Sequence, residues 1–240
     1  LKTQNFTSST IVAKLAKEIN PDIKVVIGGA HATMNGDSVF KHKEIDVSCI
    51  GEGEVTIVEL LKAFENGTPL NAVNGIMFRD ENNKIIKTPP RAYIEDLDSL
   101  AHPFTYASKT LKDFDKYPKD AFSNVFASRG CPYACTFCES KAMWTRKVRY
   151  RSPQNIVEEL KQLRDFGIHR VSFEDDTFGV SKKNIKAINN LMHKELPDMT
   201  YMCETVVQLA KDENVVKDMK HGGCTGVFVG IESGNNEILK

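Results

Sequence analysis

From residue 121 onward the chain keeps returning to one alternation: a short run of β-branched and aromatic residues, then a longer stretch with apolar residues at helical spacing. "SNVFAS" (123–128), "HRVSF" (169–173), "TYMCET" (200–205) and "TGVFVGIES" (225–233) read as strands. Between them lie the helical stretches "SPQNIVEELKQLRDFG" (152–167), "SKKNIKAINNLMHKEL" (181–196) and "KDENVVKDMKHGG" (211–223). The first of these is punctuated at both ends, with Ser152 as N-cap, Pro153 at the first helical position and Gly167 past the end. Strands joined by crossover helices build a parallel sheet, and four such steps predict part of a (β/α) barrel, whose chemistry sits on the loops after the strands.

The upstream segment alternates too. "TSSTIVAKLAKEI" predicts a helix with Ser/Thr N-caps, "IKVVIGGAHAT" and "IDVSCIGEGE" predict strands stopped by Gly28, Gly29, Gly51 and Gly53, and "VTIVELLKAFENG" predicts a second helix. These steps indicate a parallel sheet with ligands beyond its carboxyl edge, where the glycines let backbone lie against a bulky ligand. "RDENNK" between two apolar runs predicts a hairpin, and "TPPRAYIEDLDSLAHPF" an extended connector. The expected division is 1–72 for the upstream α/β domain, 73–120 for hairpin and linker, and 121–240 for the barrel segment.

On the loop after the first barrel strand, "ASRGCPYACTFCES" (127–140) places Cys131, Cys135 and Cys138 within eight positions. Cys49, Cys203 and Cys224 lie far from it in sequence, and the last two fall in or beside apolar strands, as small core residues do. Structural zinc usually takes four ligands, and no second cysteine pair is present; zinc nevertheless stays open as an alternative. A disulfide would leave one thiol over. An iron-sulfur cube prefers thiolates, and short spacers let one loop hold three of its corners while a fourth iron is left without a protein ligand. An open coordination position of that kind is where a substrate binds.

The 32 Lys and Arg balance the 32 Asp and Glu, so no overall field draws the chain to nucleic acid or an anionic membrane. No apolar run approaches the roughly 20 residues of a membrane span, and "LKTQNFTSST" lacks the apolar core of a signal peptide. The cytoplasm is the expected compartment, where cysteines stay reduced or metal-bound. The basic run "TRKVRYR", with Arg146, Lys147, Arg149 and Arg151 around Tyr150, reads as a loop that screens anionic cofactor groups, with RNA binding as its alternative.

The spacing Cys131-x-x-x-Cys135-x-x-Cys138 after a strand resembles the cluster loop of radical S-adenosylmethionine (SAM) enzymes. "RYRSPQNIVEEL", "FEDDTF" and "VGIESGNNEIL" are similar to further signatures of the radical SAM subgroup with an N-terminal cobalamin-binding domain. "VVIGGAHAT", "IGEGEVTIVELLKA" and "PPRAYIEDLDSL" resemble that domain and its linker. The fold implied is α/β: a partial Rossmann-like cobalamin-binding domain followed by a partial radical SAM barrel, as in an internal fragment of a longer protein.

The resemblance implies a [4Fe-4S] cluster on Cys131, Cys135 and Cys138, with the amino and carboxylate groups of SAM chelating the unligated iron. It places Phe137 beside the adenine, Glu174, Asp175 and Asp176 toward the SAM amino group, and Glu232 and Ser233 toward the ribose or methionyl part. Gly28, Gly29, Gly51 and Gly53 would line cobalamin. Bland readings stand beside these: Phe137 as a loop aromatic, one or two of the carboxylates as loop caps, Glu232 as a solvated strand end. His31 is not expected to ligate cobalt, because the family's D-x-H-x-x-G motif is absent. Val206 after Glu204 and Thr205 departs from the family, which often has arginine there.

The expected function is reductive cleavage of SAM to a 5'-deoxyadenosyl radical, used with cobalamin to transfer a methyl group to an unactivated carbon of a small-molecule substrate. An external electron donor such as a ferredoxin or flavodoxin is implied. The alternatives are a radical cyclisation or rearrangement with the same cofactors and, from another class, a zinc-stabilised RNA-binding module.

Overall fold

The computed structural model describes residues 2–238. The chain divides into two compact units: one comprises the residues up to Ile94 together with Cys135–Trp144, the other Glu95–Ala134 together with the chain from Thr145 onward.

In the first unit, α1 (Phe6–Ile19), β1 (Val26–Ile27), β2 (Val47–Cys49) and α3 (Glu54–Asn66) follow the expected order, while the short helix α2 (Ala30–Asn35) forms where "AHAT" was expected to belong to the first strand segment. The predicted hairpin forms as β3 (Ile76–Arg79) and β4 (Ile85–Lys87), with Asp80 receiving the Asn82 and Lys84 amides across its turn. It does not stand apart as linker. β3 pairs antiparallel with β2, so the sheet runs β1-β2-β3-β4 with only its first pair parallel. Val47, Cys49, Leu60, Ala63, Val73 and Ile76 form the core beneath α3, and Gly67 ends that helix in the left-handed conformation. The cap of α1 differs from expectation. Asn5 takes the N-cap position, while the Ser9 and Thr10 hydroxyls bond back to the Asn5 and Thr7 carbonyls, the usual fate of such residues inside a helix.

The second unit carries β5 (Asn124–Val125), β6 (Ser128–Arg129), β7 (Arg149–Tyr150), α4 (Pro153–Asp165), β8 (Arg170–Phe173), α5 (Lys182–Glu195), β9 (Thr200–Thr205), α6 (Glu213–His221) and β10 (Cys224–Val229). Its main sheet is parallel throughout, in the order β5-β8-β9-β10. Each helix contributes an apolar stripe to one core: Ile156, Leu160 and Leu163 from α4, Ile185, Ile188 and Met192 from α5, Val215 and Met219 from α6. Val171, Phe173, Tyr201 and Cys203 meet them from the strands. The expected capping of α4 holds, since Ser152 Oγ accepts the Asn155 amide at 3.2 Å. "SNVFAS" is not one strand. It leaves the parallel sheet after Val125, and Ser128–Arg129 pairs antiparallel with Arg149–Tyr150.

Among the described residues no helix is long and apolar enough to cross a membrane.

Candidate cysteine loop and strand-end site

The departure of the chain from the parallel sheet after β5 is held by one carboxylate. Asp175, two residues past β8, accepts the Ala127 amide at 2.7 Å and the Ser128 hydroxyl at 2.5 Å. Strand alternation explains why it reaches them: Phe173 and Asp175 turn inward while Glu174 and Asp176 face out. Asp175 is buried, and desolvation pushes its carboxyl up to about 7 against the opposing hydrogen bonds from Ser128 and Ala127. Of the three carboxylates that the sequence brings together, Asp175 is thus buried, while Glu174 and Asp176 are exposed.

Gly130 directs the chain from β6 into the cysteine loop at φ +107°, and a Cβ there would lie 2.6 Å from the Lys147 carbonyl oxygen. The Cys131 Sγ that follows is 3.3 Å from Thr177 Oγ1. Thr177 is buried, and its hydroxyl also reaches the Asp176 carbonyl at 2.7 Å. Sequence reading passed over Thr177, although "FEDDTF" puts it on the same inward face as Phe173 and Asp175.

The basic run resolves into structure more than ligand binding. Arg151 Nη1 forms a largely buried ion pair with Glu159 at 2.5 Å and donates to the Phe126 carbonyl at 2.7 Å. Lys147 pairs with Glu95, and Arg149 is buried. Past β10, Glu232 is exposed with a left-handed φ of 61°, and the Ser233 amide closes a tight turn on the Ile231 carbonyl at 2.7 Å.

In the first unit, Cys135, Phe137 and Cys138 are exposed. The Cys138 amide donates to the Cys135 carbonyl at 3.3 Å and the Ser140 amide to Cys138 Sγ at 3.4 Å. All six cysteines are free, and Cys49, Cys203 and Cys224 are buried in the cores, with Cys203 pushed up by its hydrogen bond with the Cys224 thiol and by burial. Among the described residues no three His, Cys, Asp or Glu side chains are gathered around a point that could hold a metal ion. The donor set nevertheless suits an iron-sulfur cluster: Cys131, Cys135 and Cys138 are unpaired thiols of one loop, none committed to a core.

At the glycine segment, Gly29 (φ 90°) and Gly51 (φ 75°) are bridged by the Thr33 hydroxyl, which donates to the Gly29 carbonyl at 2.9 Å and accepts the Gly51 amide at 3.0 Å. A Cβ added at Gly28 would lie 3.4 Å from that of Cys49, and Gly53 is the N-cap of α3. Glu52 is buried, its carboxylate accepting the Ile94 amide at 2.7 Å. His31 is buried against α1, stacked on Phe6 with ring centroids 4.1 Å apart and bonded through Nδ1 to Thr3 and Asn35.

Residues 125–240 match the family model of the radical SAM superfamily, and residues 1–61 match the B12 binding domain. The chain is 37% identical over 233 residues to an uncharacterised methyltransferase of Pyrococcus horikoshii, covering 95% of this chain and 50% of the relative. It is 30% identical over 231 residues to an anaerobic magnesium-protoporphyrin IX monomethyl ester cyclase of Rubrivivax gelatinosus, covering 92% and 40%. The chain thus spans about half or less of the length of these relatives. Among solved structures, the radical SAM methyltransferase TsrM of Kitasatospora setae superposes with a TM-score of 0.80 at 19% identity, over 98% of this chain and 46% of that one. The cobalamin-dependent radical SAM enzyme OxsB superposes at 0.77 and 19%, over 98% and 35%. At these identities the structures speak to the fold, which is the mixed α/β arrangement described above. The chain belongs to the radical SAM superfamily and carries a B12 binding domain ahead of its radical SAM segment.

Proposed function

We propose that this chain is the cofactor-binding portion of a cobalamin-dependent radical SAM enzyme that transfers a methyl group to an unactivated carbon of a small-molecule substrate. The observation that carries the proposal is the free three-cysteine loop following the first strand of a parallel β/α sheet, in a chain whose upstream residues match a B12 binding domain. The methyltransferase name of the 37% identical relative supports methyl transfer over other radical chemistry.

Cys131, Cys135 and Cys138 would hold a [4Fe-4S] cluster, which supplies the electron that splits SAM into methionine and a 5'-deoxyadenosyl radical. Phe137, exposed on the loop, would cover the adenine. The outward carboxylates Glu174 and Asp176 would take the SAM amino group, with Glu232 and Ser233 at the ribose or methionyl part. Asp175 would act from beneath, holding the strand exit that carries Cys131. Gly28, Gly29, Gly51 and Gly53 would line cobalamin, with Thr33 fixing the two loops together. The electron would come from an external donor such as a ferredoxin or flavodoxin, in the cytoplasm. A radical cyclisation is the second reading, favoured by the 30% identity to a cyclase.

Anaerobic purification of the full-length protein tests the proposal. A brown protein with about four irons per chain, releasing 5'-deoxyadenosine from SAM on reduction, is expected. A colourless protein with stoichiometric zinc would overturn it in favour of a zinc-stabilised module. Product mass divides the two enzyme readings: gain of one methyl group supports methyl transfer, and its absence supports cyclisation.

A further inference from the structure

The Thr177 hydroxyl has one proton and two acceptors within reach: the Asp176 carbonyl at 2.7 Å and Cys131 Sγ at 3.3 Å. While Cys131 is a thiol, its own S–H can donate to Thr177 and the hydroxyl proton can stay on the carbonyl. A thiolate bound to iron has no proton to give and accepts only. The hydroxyl then turns to the sulfur, and the resulting O–H···S⁻ bond is charge-assisted.

Thr177 is well placed to keep that bond in one geometry. It is 2% exposed. On one side, Asp175 is fixed to Ala127 and Ser128. On the other, the Phe178 amide donates to the Glu204 carbonyl at 2.8 Å, and the Phe178 carbonyl receives the Thr205 hydroxyl at 2.7 Å. The chain is thus held two residues before the threonine and one residue after it, and its side chain points at the one cysteine of the three that is partly buried.

We propose that Thr177 is a positioning residue for the cluster: its hydroxyl orients Cys131 and tunes the cluster's reduction potential by donating to that thiolate. Hydrogen bonds to cluster sulfurs withdraw electron density and favour the reduced, more negative state, so their loss lowers the potential. The inference rests on Cys131 being a cluster ligand, and the test keeps the two claims apart.

The full-length enzyme is reconstituted anaerobically as wild type, Thr177→Val, Thr177→Ser and Cys131→Ala. Iron is counted, and the cluster midpoint is read by redox titration followed by electron paramagnetic resonance. Valine keeps the shape of threonine without the hydroxyl; serine keeps the hydroxyl. Thr177→Val is expected to bind iron and show a lower midpoint, with the ratio of reduced to oxidised cluster at fixed potential falling on the order of tenfold, about 59 mV for a one-electron couple. Thr177→Ser should return the midpoint toward wild type. Loss of iron in Thr177→Val but not in Thr177→Ser would likewise support the hydroxyl's role. An unchanged midpoint in iron-loaded Thr177→Val, or equal effects of valine and serine, would overturn the proposal. Full iron in Cys131→Ala would instead remove the ligand assignment beneath it.

Discussion

Asp175 and Ser128, 47 positions apart in sequence, share a buried 2.5 Å hydrogen bond at the point where the chain leaves the parallel sheet for the cysteine loop. The same carboxylate holds the Ala127 amide. A strand that would otherwise run straight is thereby broken, and its second half is free to pair with β7. The route from the parallel sheet to the cysteine loop passes through a buried acid.

That burial makes stability depend on pH in a stated direction. The folded-state value of about 7 lies above the ordinary 3.8, so the folded protein holds this proton more tightly than the unfolded chain does. Below about pH 4 both states are protonated and the group is neutral in effect; between 4 and 7 stability falls, at up to about 1.4 kcal/mol per pH unit. Above 7 the loss is complete. Asp175→Asn removes the titration, so the stability advantage of wild type over the variant should be a few kcal/mol larger at pH 5 than at pH 8. Urea denaturation at the two pH values measures it; a pH-independent difference would show that the carboxylate is ionised in both states.

Gly130→Ala should be far more damaging than an ordinary surface change. The glycine sits at φ +107°, and the added methyl would meet the Lys147 carbonyl oxygen at 2.6 Å, backbone that has no rotamer to escape into. A loss of at least about 2 kcal/mol is expected, with reduced iron uptake because the displaced residue precedes Cys131. Wild-type thermal stability and iron content would show that the loop entry is looser than its geometry indicates.

Arg151 and Glu159 offer a separate check on the region beside the loop. Their side chains are 12% and 6% exposed and bonded at 2.5 Å, and Arg151 also holds the Phe126 carbonyl. Truncating either leaves a buried charge unpaired, which costs about 3–5 kcal/mol. The double variant Arg151→Ala/Glu159→Ala should be less destabilised than the sum of the singles by about 1–3 kcal/mol. Additive losses in denaturant titrations would count against a coupled pair.

These pairs mark where sequence reading stops. The helices of the second unit were legible because their signals are local: Ile156, Leu160 and Leu163 recur at helical spacing, and Ser152, Pro153 and Gly167 punctuate the ends. The cysteine loop was legible because three thiols at fixed short spacing have few uses. The break in "SNVFAS" was not, since it depends on a carboxylate 48 positions away from Ala127. The first sheet shows the same limit. Alternation predicts parallel strands there, but only pairing decides that the β3–β4 hairpin joins β2 rather than standing apart. Thr33 and Thr177 escaped notice for another reason: a single hydroxyl becomes informative only when its partners, Gly29 and Gly51 or Cys131, are in place.

The six cysteines divide sharply enough to test the site as a whole. Cys131, Cys135 and Cys138 lie on one loop, and the last two are exposed; Cys203 and Cys224 are buried in the core of the second unit and Cys49 in that of the first. Since each loop thiolate is proposed to hold one iron, alanine at any of the three should abolish the cluster absorbance and all SAM cleavage while leaving the melting temperature of the apoprotein near wild type. Alanine at Cys203 or Cys224 removes a small core side chain, with an expected cost of about 1 kcal/mol, and should leave iron content unchanged. Iron analysis and visible absorbance of the five variants, prepared side by side without oxygen, separate the groups. Iron lost on replacing Cys203 or Cys224, with the fold intact by circular dichroism, would mean that the cluster is held by a different set of thiols.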